Sequence, residues 1–279
     1  MPSRGVLTSK YFLVQASTSN LNILMPYLPL EIEELILDFL HKLEDDNSHS
    51  TLKTCSLVCQ AFLPTCRKHI FGSIVLNKYN DYNEVSHGFT RLLCGTPEIA
   101  DYVRNLEYTI GETDLTSPSI QEPLKRINRL ESLTVWQNSE PNVDWSDNPI
   151  RPTLLHLLHL PTLTHFTVGI KGFVLSDLIP CVNLKYLRIG NNMTVAAQNT
   201  FPAVLPEVPI QLNEFVAEIT SPEAIMKLCT VRRPDGQPII DFESLSKIKV
   251  DLEEPNESKA SQELFRRCHV LTKAHISCM

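Results

Sequence analysis

Glycine is scarce in this chain, with only 9 among 279 residues. Phosphate-cradling loops draw on closely spaced glycines, and neither the GxGxxG nor the GxxxxGK[ST] spacing occurs. There is no GxSxG elbow and no HExxH pair, so no motif asks for a hydrolytic enzyme. No apolar run approaches the ~18 residues that a membrane-spanning helix requires. A secretory signal is missing too, because "YFLV" is shorter than the apolar core such a signal carries. Clustered positive charge is absent, and a net charge of −7 argues against a nucleic-acid binder. Acids are lacking before Glu31, a composition compatible with a mitochondrial presequence; residues 1–25 are read instead as a disordered leader.

What remains fits a globular protein: 43% hydrophobic residues against 20% charged. The eight cysteines are scattered without a signal peptide, which fits reduced thiols in the cytoplasm or nucleus. Cys55, Cys59, Cys66 and His69 have a zinc-like spacing. They stand in an apolar helical stretch, however, where a free cysteine behaves as a small hydrophobe, so neither a metal nor any other cofactor is expected.

"YLPLEIEELILDFLHKL" (27–43) carries the strongest pattern. Leu28, Ile32, Leu35, Ile36, Phe39, Leu40 and Leu43 share one stripe of a helix. Pro29 suits the first turn, and Glu31, Glu33 and Glu34 complement its dipole. Leu30 and Leu37 fall on the opposite side. Two apolar sides imply two partners, and the reading turns Leu37 outward. "TLKTCSLVCQAFLPTCRKHIF" (51–71) follows, with one helix over 52–63 and a second over 65–71 after Pro64. The unit spans about 40 residues, a size that usually needs outside help to be stable. It is expected to dock onto another chain.

Leu28, Pro29, Glu31 and Ile32, then Ile36 and Leu40, then Cys55 to Cys59 resemble the F-box, a three-helix motif. Phe62 stands where the family usually has Trp, and the loop between helices is long. "HIFGSIVL" (69–76) resembles F-box proteins of mushroom-forming fungi. The resemblance covers about a sixth of the chain. It implies binding to the Skp adaptor, and through it to a cullin scaffold, with Leu28, Pro29, Ile32, Ile36, Leu40, Leu52, Val58 and Cys59 at or beside that contact. Periodicity adds Leu30 and Leu37.

Beyond residue 100 one phrase recurs: apolar, two residues, apolar, one residue, apolar. It starts at Val103, Leu130, Leu163, Leu184, Leu212, Leu245 and Leu271, with a mean spacing of 28 residues. That period and the L-x-x-L-x-L phrase resemble leucine-rich repeats. Asn138 and Asn192 stand where that family has its ladder asparagine. Helix-like segments lie at 152–160, 173–179, 221–229 and 258–269. The spacing is irregular, and a plain α/β domain is the competing architecture. Within each strand the pattern residues point to the core and their neighbours to an open, concave face. Trp136, His165, Tyr186, Arg188, Lys247 and Lys249 are the substrate-binding candidates on that face, Trp, Tyr and Arg being common hot-spot types.

The expected fold is an all-α three-helix F-box over 26–75, a connecting helical segment over 76–102, and an irregular leucine-rich-repeat-like α/β solenoid with a parallel sheet over 103–279. The chain stops inside its last phrase, which points to a truncated product or to an end covered by something else. The expected function is substrate recognition in a Skp–cullin–F-box ubiquitin ligase, with no catalysis of its own and with neither nucleic acid nor membrane as partner. The alternative is a repeat module whose N-terminal helices only cap the solenoid. A hydrolase with dispersed residues is a third reading, and it would need a deep polar pocket.

Overall fold

The computed structural model describes residues 30–42, 48–58, 60–76, 84–111, 118–138, 143–190, 193–196, 201–218, 222–252 and 257–278. Eight of its strands form one sheet: β1 (Ser73–Leu76), β2 (Asn105–Ile110), β3 (Ser132–Gln137), β4 (His165–Gly169), β5 (Tyr186–Ile189), β7 (Glu214–Ala217), β9 (Lys247–Leu252) and β10 (Lys273–Cys278). A short parallel pair, β6 (Ile210–Gln211) and β8 (Ile240–Asp241), stands apart. Every pairing in the large sheet is parallel, and its strand order follows the chain. A parallel neighbour can be reached only through a crossover connection. Seven successive crossovers without a change of order give a solenoid-like α/β arrangement. Each of the seven sequence phrases becomes a strand beginning two residues after its first apolar residue. The sheet begins earlier than the phrases do, with β1 directly behind the N-terminal helices.

The register explains why the phrase repeats. Leu106, Leu133, Phe166, Leu187, Phe215 and Ile248 are neighbours across six strands, and all are buried. Tyr108, Val135, Val168, Ile189, Ala217 and Val250 form the next buried row. Burying each Leu or Phe of such a row contributes about 1.5–3 kcal/mol, and no single repeat can bury its own. A backbone device repeats with the same period. The carbonyls of Gly72, Arg104, Glu131, Thr164, Lys185, Asn213 and Ser246 each accept two consecutive amide N–H groups of the following strand's entrance, at 2.8–3.1 Å.

Helices close the core side. Arg151–Leu158 buries Leu154, Leu157 and Leu158, Pro222–Thr230 buries Ile225 and Leu228, and Glu257–Arg266 buries Leu264. The segment expected to be helical over 173–179 is a 3₁₀ turn, Leu175–Leu178. Its Asp177 anchors a buried polar knot. Trp145 Nε1 donates to Asp177 Oδ2 at 2.7 Å, and Arg151 Nη2 donates to both carboxylate oxygens at 2.8 and 3.0 Å. Between strands, Gln137 links adjacent turns: it donates to Val143 O at 2.7 Å and accepts from Lys171 N at 3.1 Å; the expected ladder residue Asn192 lies outside the described residues.

At the N-terminus, α1 (Leu30–Lys42), α2 (Ser48–Val58) and α3 (Leu63–Phe71) form a small bundle. Its core is Leu37, Leu52 and Cys66, with Leu40, Cys55, Phe62 and Ile70 packed around them. This cluster is separate from the core of the sheet. The connecting segment contributes α4 (Glu84–Gly95), whose Phe89 and Leu93 join the sheet core.

Candidate functional site

Two surfaces stand out, one on α1 and one on the open face of the sheet. On α1, Leu35 is 63% and Phe39 64% exposed, and Ile32 and Ile36 are exposed as well. Their i, i+3, i+4, i+7 spacing makes one continuous apolar stripe on the outside of the bundle. On α2, Leu57 is 88% exposed. The α1 stripe is the candidate interaction surface, being the kind of exposed apolar patch that partners cover.

The structure corrects one expectation about α1. Leu37, expected to face outward, is 2% exposed and packs with Leu52 and Cys66. The broad stripe, which includes the adaptor candidates Ile32 and Ile36, is what remains open. Among the described residues α1 packs on α2 and α3, and these take up its narrow Leu37 side. His69 Nε2 on α3 lies 2.8 Å from Asp38 Oδ1 on α1. Of the adaptor-contact candidates, Ile32 and Ile36 lie on the open stripe and Leu40 is half-buried. Leu37 and Leu52 hold the bundle together and reach no partner without unpacking it. Leu30 begins α1 and Val58 ends α2, whereas Leu28, Pro29 and Cys59 lie outside the described residues. The exposed Leu57 was missed as a candidate, and so were Leu35 and Phe39, whose periodic spacing was visible in the sequence.

The open face is built in rows. One row runs Asn105, Ser132, His165, Tyr186, Glu214, Lys247, Lys273, and the next Glu107, Thr134, Thr167, Arg188, Val216, Lys249, His275. Five of the six substrate-binding candidates stand in these two rows, and Trp136, two residues beyond Thr134, is on the same side of β3. His165 and Tyr186 are ring neighbours, with centroids 5.4 Å apart. Burial pushes the Tyr186 phenol up, so it stays a neutral hydroxyl. Arg188 Nη2 donates to both Glu218 carboxylate oxygens at 2.6 Å, which raises the already high pKa of the guanidinium. Lys247 and Lys249 lie 3.4 and 3.2 Å from Glu214 and Asp251. Trp136 does not project freely. Its indole lies across the next two strands, so close that a Cβ on Gly169 or Gly190 would stand 2.3 Å from a ring carbon.

Among the described residues no group of three or more His, Cys, Asp or Glu is placed to hold a metal ion. His156 and His159 bond the carbonyls of Lys125 and Asp177, away from His165 on the open face. Burial pushes the Cys229 thiol up to about 12 and that of Cys181 higher still, leaving both protonated and unreactive near neutral pH. Among the described residues no helix is long and apolar enough to cross a membrane. The chain matches no known family model, and no curated protein matches it.

Proposed function

We propose that the chain is the substrate-recognition subunit of a Skp–cullin–F-box ubiquitin ligase, non-catalytic itself. In this reading the α1–α3 bundle is an F-box that binds the Skp adaptor, and the sheet is a leucine-rich-repeat-like arc that holds a substrate protein. A separate enzyme transfers ubiquitin, and the receptor contributes proximity by making attack of a substrate lysine effectively intramolecular. Cytoplasm or nucleus is the compartment where such a complex works.

The observation that carries the proposal is the uncovered stripe Ile32, Leu35, Ile36 and Phe39 on a three-helix bundle whose sequence resembles the F-box. The alternative is that α1–α3 only cap the sheet: Phe71 of α3 packs against the sheet core, whereas Leu37, Leu52 and Cys66 make a core of the bundle's own. Co-expression of the full chain with a Skp adaptor tests the proposal. A stable complex is expected. Failure to co-purify, with an adaptor that binds another F-box normally, transfers the role of α1–α3 to capping.

A further inference from the structure

The last two paired strands carry an arrangement whose chemistry the proposed function leaves unspecified. Lys247 and Lys249 on β9 stand in direct register with Lys273 and His275 on β10, all four on the open face. Neighbouring strands lie about 4.8 Å apart and alternate residues about 6.6 Å apart, so the four side chains root at the corners of a small rectangle. Like charges directly opposite one another destabilise a sheet. Here a chain with a net charge of −7 nonetheless sets Lys247 beside Lys273.

The acids close by only partly compensate. Glu214 reaches Lys247 at 3.4 Å in an exposed pair, and Asp251 reaches Lys249 at 3.2 Å. Glu218 is taken by Arg188. Among the described residues Lys273 has no acidic partner. A cleft of about 540 Å³ lies over the rectangle, lined by these three lysines and His275 against one carboxylate, Glu214. Lysines are compact point charges on flexible stems, so the group suits carboxylates that come to it at a matching interval better than one planar anion.

We infer that this end of the open face binds an extended acidic peptide segment whose acidic residues are two apart, in an acid-x-acid pattern. In an extended chain side chains i and i+2 point to the same side, about 6.6–6.8 Å apart, which matches the distance along each strand of the rectangle. The segment between the acids would face away from the sheet. The inference rests on the reading of the open face as the substrate-holding surface and specifies the chemistry of what it holds.

The test is fluorescence anisotropy with the full-length chain and three labelled nonapeptides in a Thr/Val-rich background. They carry Asp-x-Asp, Asn-x-Asn, or two adjacent aspartates. The Asp-x-Asp peptide should bind at least tenfold tighter than the other two, and its affinity should fall as salt rises. The K247Q/K273Q variant should lose at least tenfold while melting no earlier than the parent, since it relieves a like-charge pair. A phosphoserine-x-phosphoserine peptide that binds through the same two lysines also supports the site and assigns its anions to a modified substrate. The inference is overturned if the three peptides bind alike or not at all, or if K247Q/K273Q keeps full affinity. It is equally overturned if a single-stranded oligonucleotide displaces the peptide at lower concentration. Adaptor co-purification is scored on the same preparations. Peptide failure with adaptor binding intact overturns only this inference, and the reverse outcome overturns only the ligase assignment.

Discussion

Gly169 and Gly190 lie where the Trp136 indole presses on the open face, and the absence of a side chain there is what lets the ring lie flat. G169A would force the indole off the sheet. Overpacking of this kind typically costs 1–3 kcal/mol, so the variant should unfold at a lower denaturant concentration than the parent, with an altered Trp fluorescence maximum. The side chain of Asp177 is a second point of dependence, because it accepts from both Trp145 and Arg151 in a nearly dry site. D177A leaves a partly buried guanidinium and an indole N–H without their acceptor. Breaking one side of a buried pair typically costs 3–5 kcal/mol, and chemical denaturation should show a loss of about that size, well beyond that of G169A. An unchanged midpoint in D177A would show that water replaces the carboxylate.

The helices divide by which of their sides is spoken for. In α1 the narrow side is internal and the broad side is open, so two substitutions a turn or less apart should behave oppositely. L37A removes a core side chain of a very small bundle, and a buried Leu→Ala costs 2–5 kcal/mol; rapid proteolysis within residues 30–71 is expected. F39D changes a side chain that is 64% exposed and should leave proteolysis and melting unchanged while abolishing adaptor capture. If F39D also unfolds the bundle, the stripe is internal after all. The sequence showed that α1 had two apolar sides but not which side faced in, because periodicity fixes angles between side chains and not their absolute direction. The seven phrase strands were legible since one local rule, apolar residues at fixed offsets, reports burial in every repeat. β1 was not, its four residues being too few to show the phrase. The fit of Trp136 onto Gly169 and Gly190 was hidden for another reason: it joins three repeats and leaves no mark in any single window. The zones of the open face were legible residue by residue, whereas the lysine rectangle emerged only with the register of β9 and β10.

At the scale of the whole molecule, two cores sit side by side, a small one of Leu37, Leu52 and Cys66 and a long one shared by all the middle strands. The long core has no internal boundary, since each buried row passes from β2 to β9 without a gap. Native-state hydrogen exchange should therefore protect 130–250 as one block, with the α1–α3 bundle opening independently and at lower free energy. Separate exchange of the two halves of the sheet would contradict a shared core. In the proposed assembly the open stripe of α1, and not the sheet, carries the adaptor contact. Calorimetric titration of a Skp adaptor into the full-length chain tests it most directly, with L35D/F39D and K247Q/K273Q as the paired variants. Truncating a central apolar anchor typically costs about 2 kcal/mol or more, roughly a thirtyfold loss. The parent chain should bind saturably and one-to-one, L35D/F39D should lose at least that much, and K247Q/K273Q should bind like the parent. Absence of binding by the parent, or undiminished binding by L35D/F39D, would contradict it.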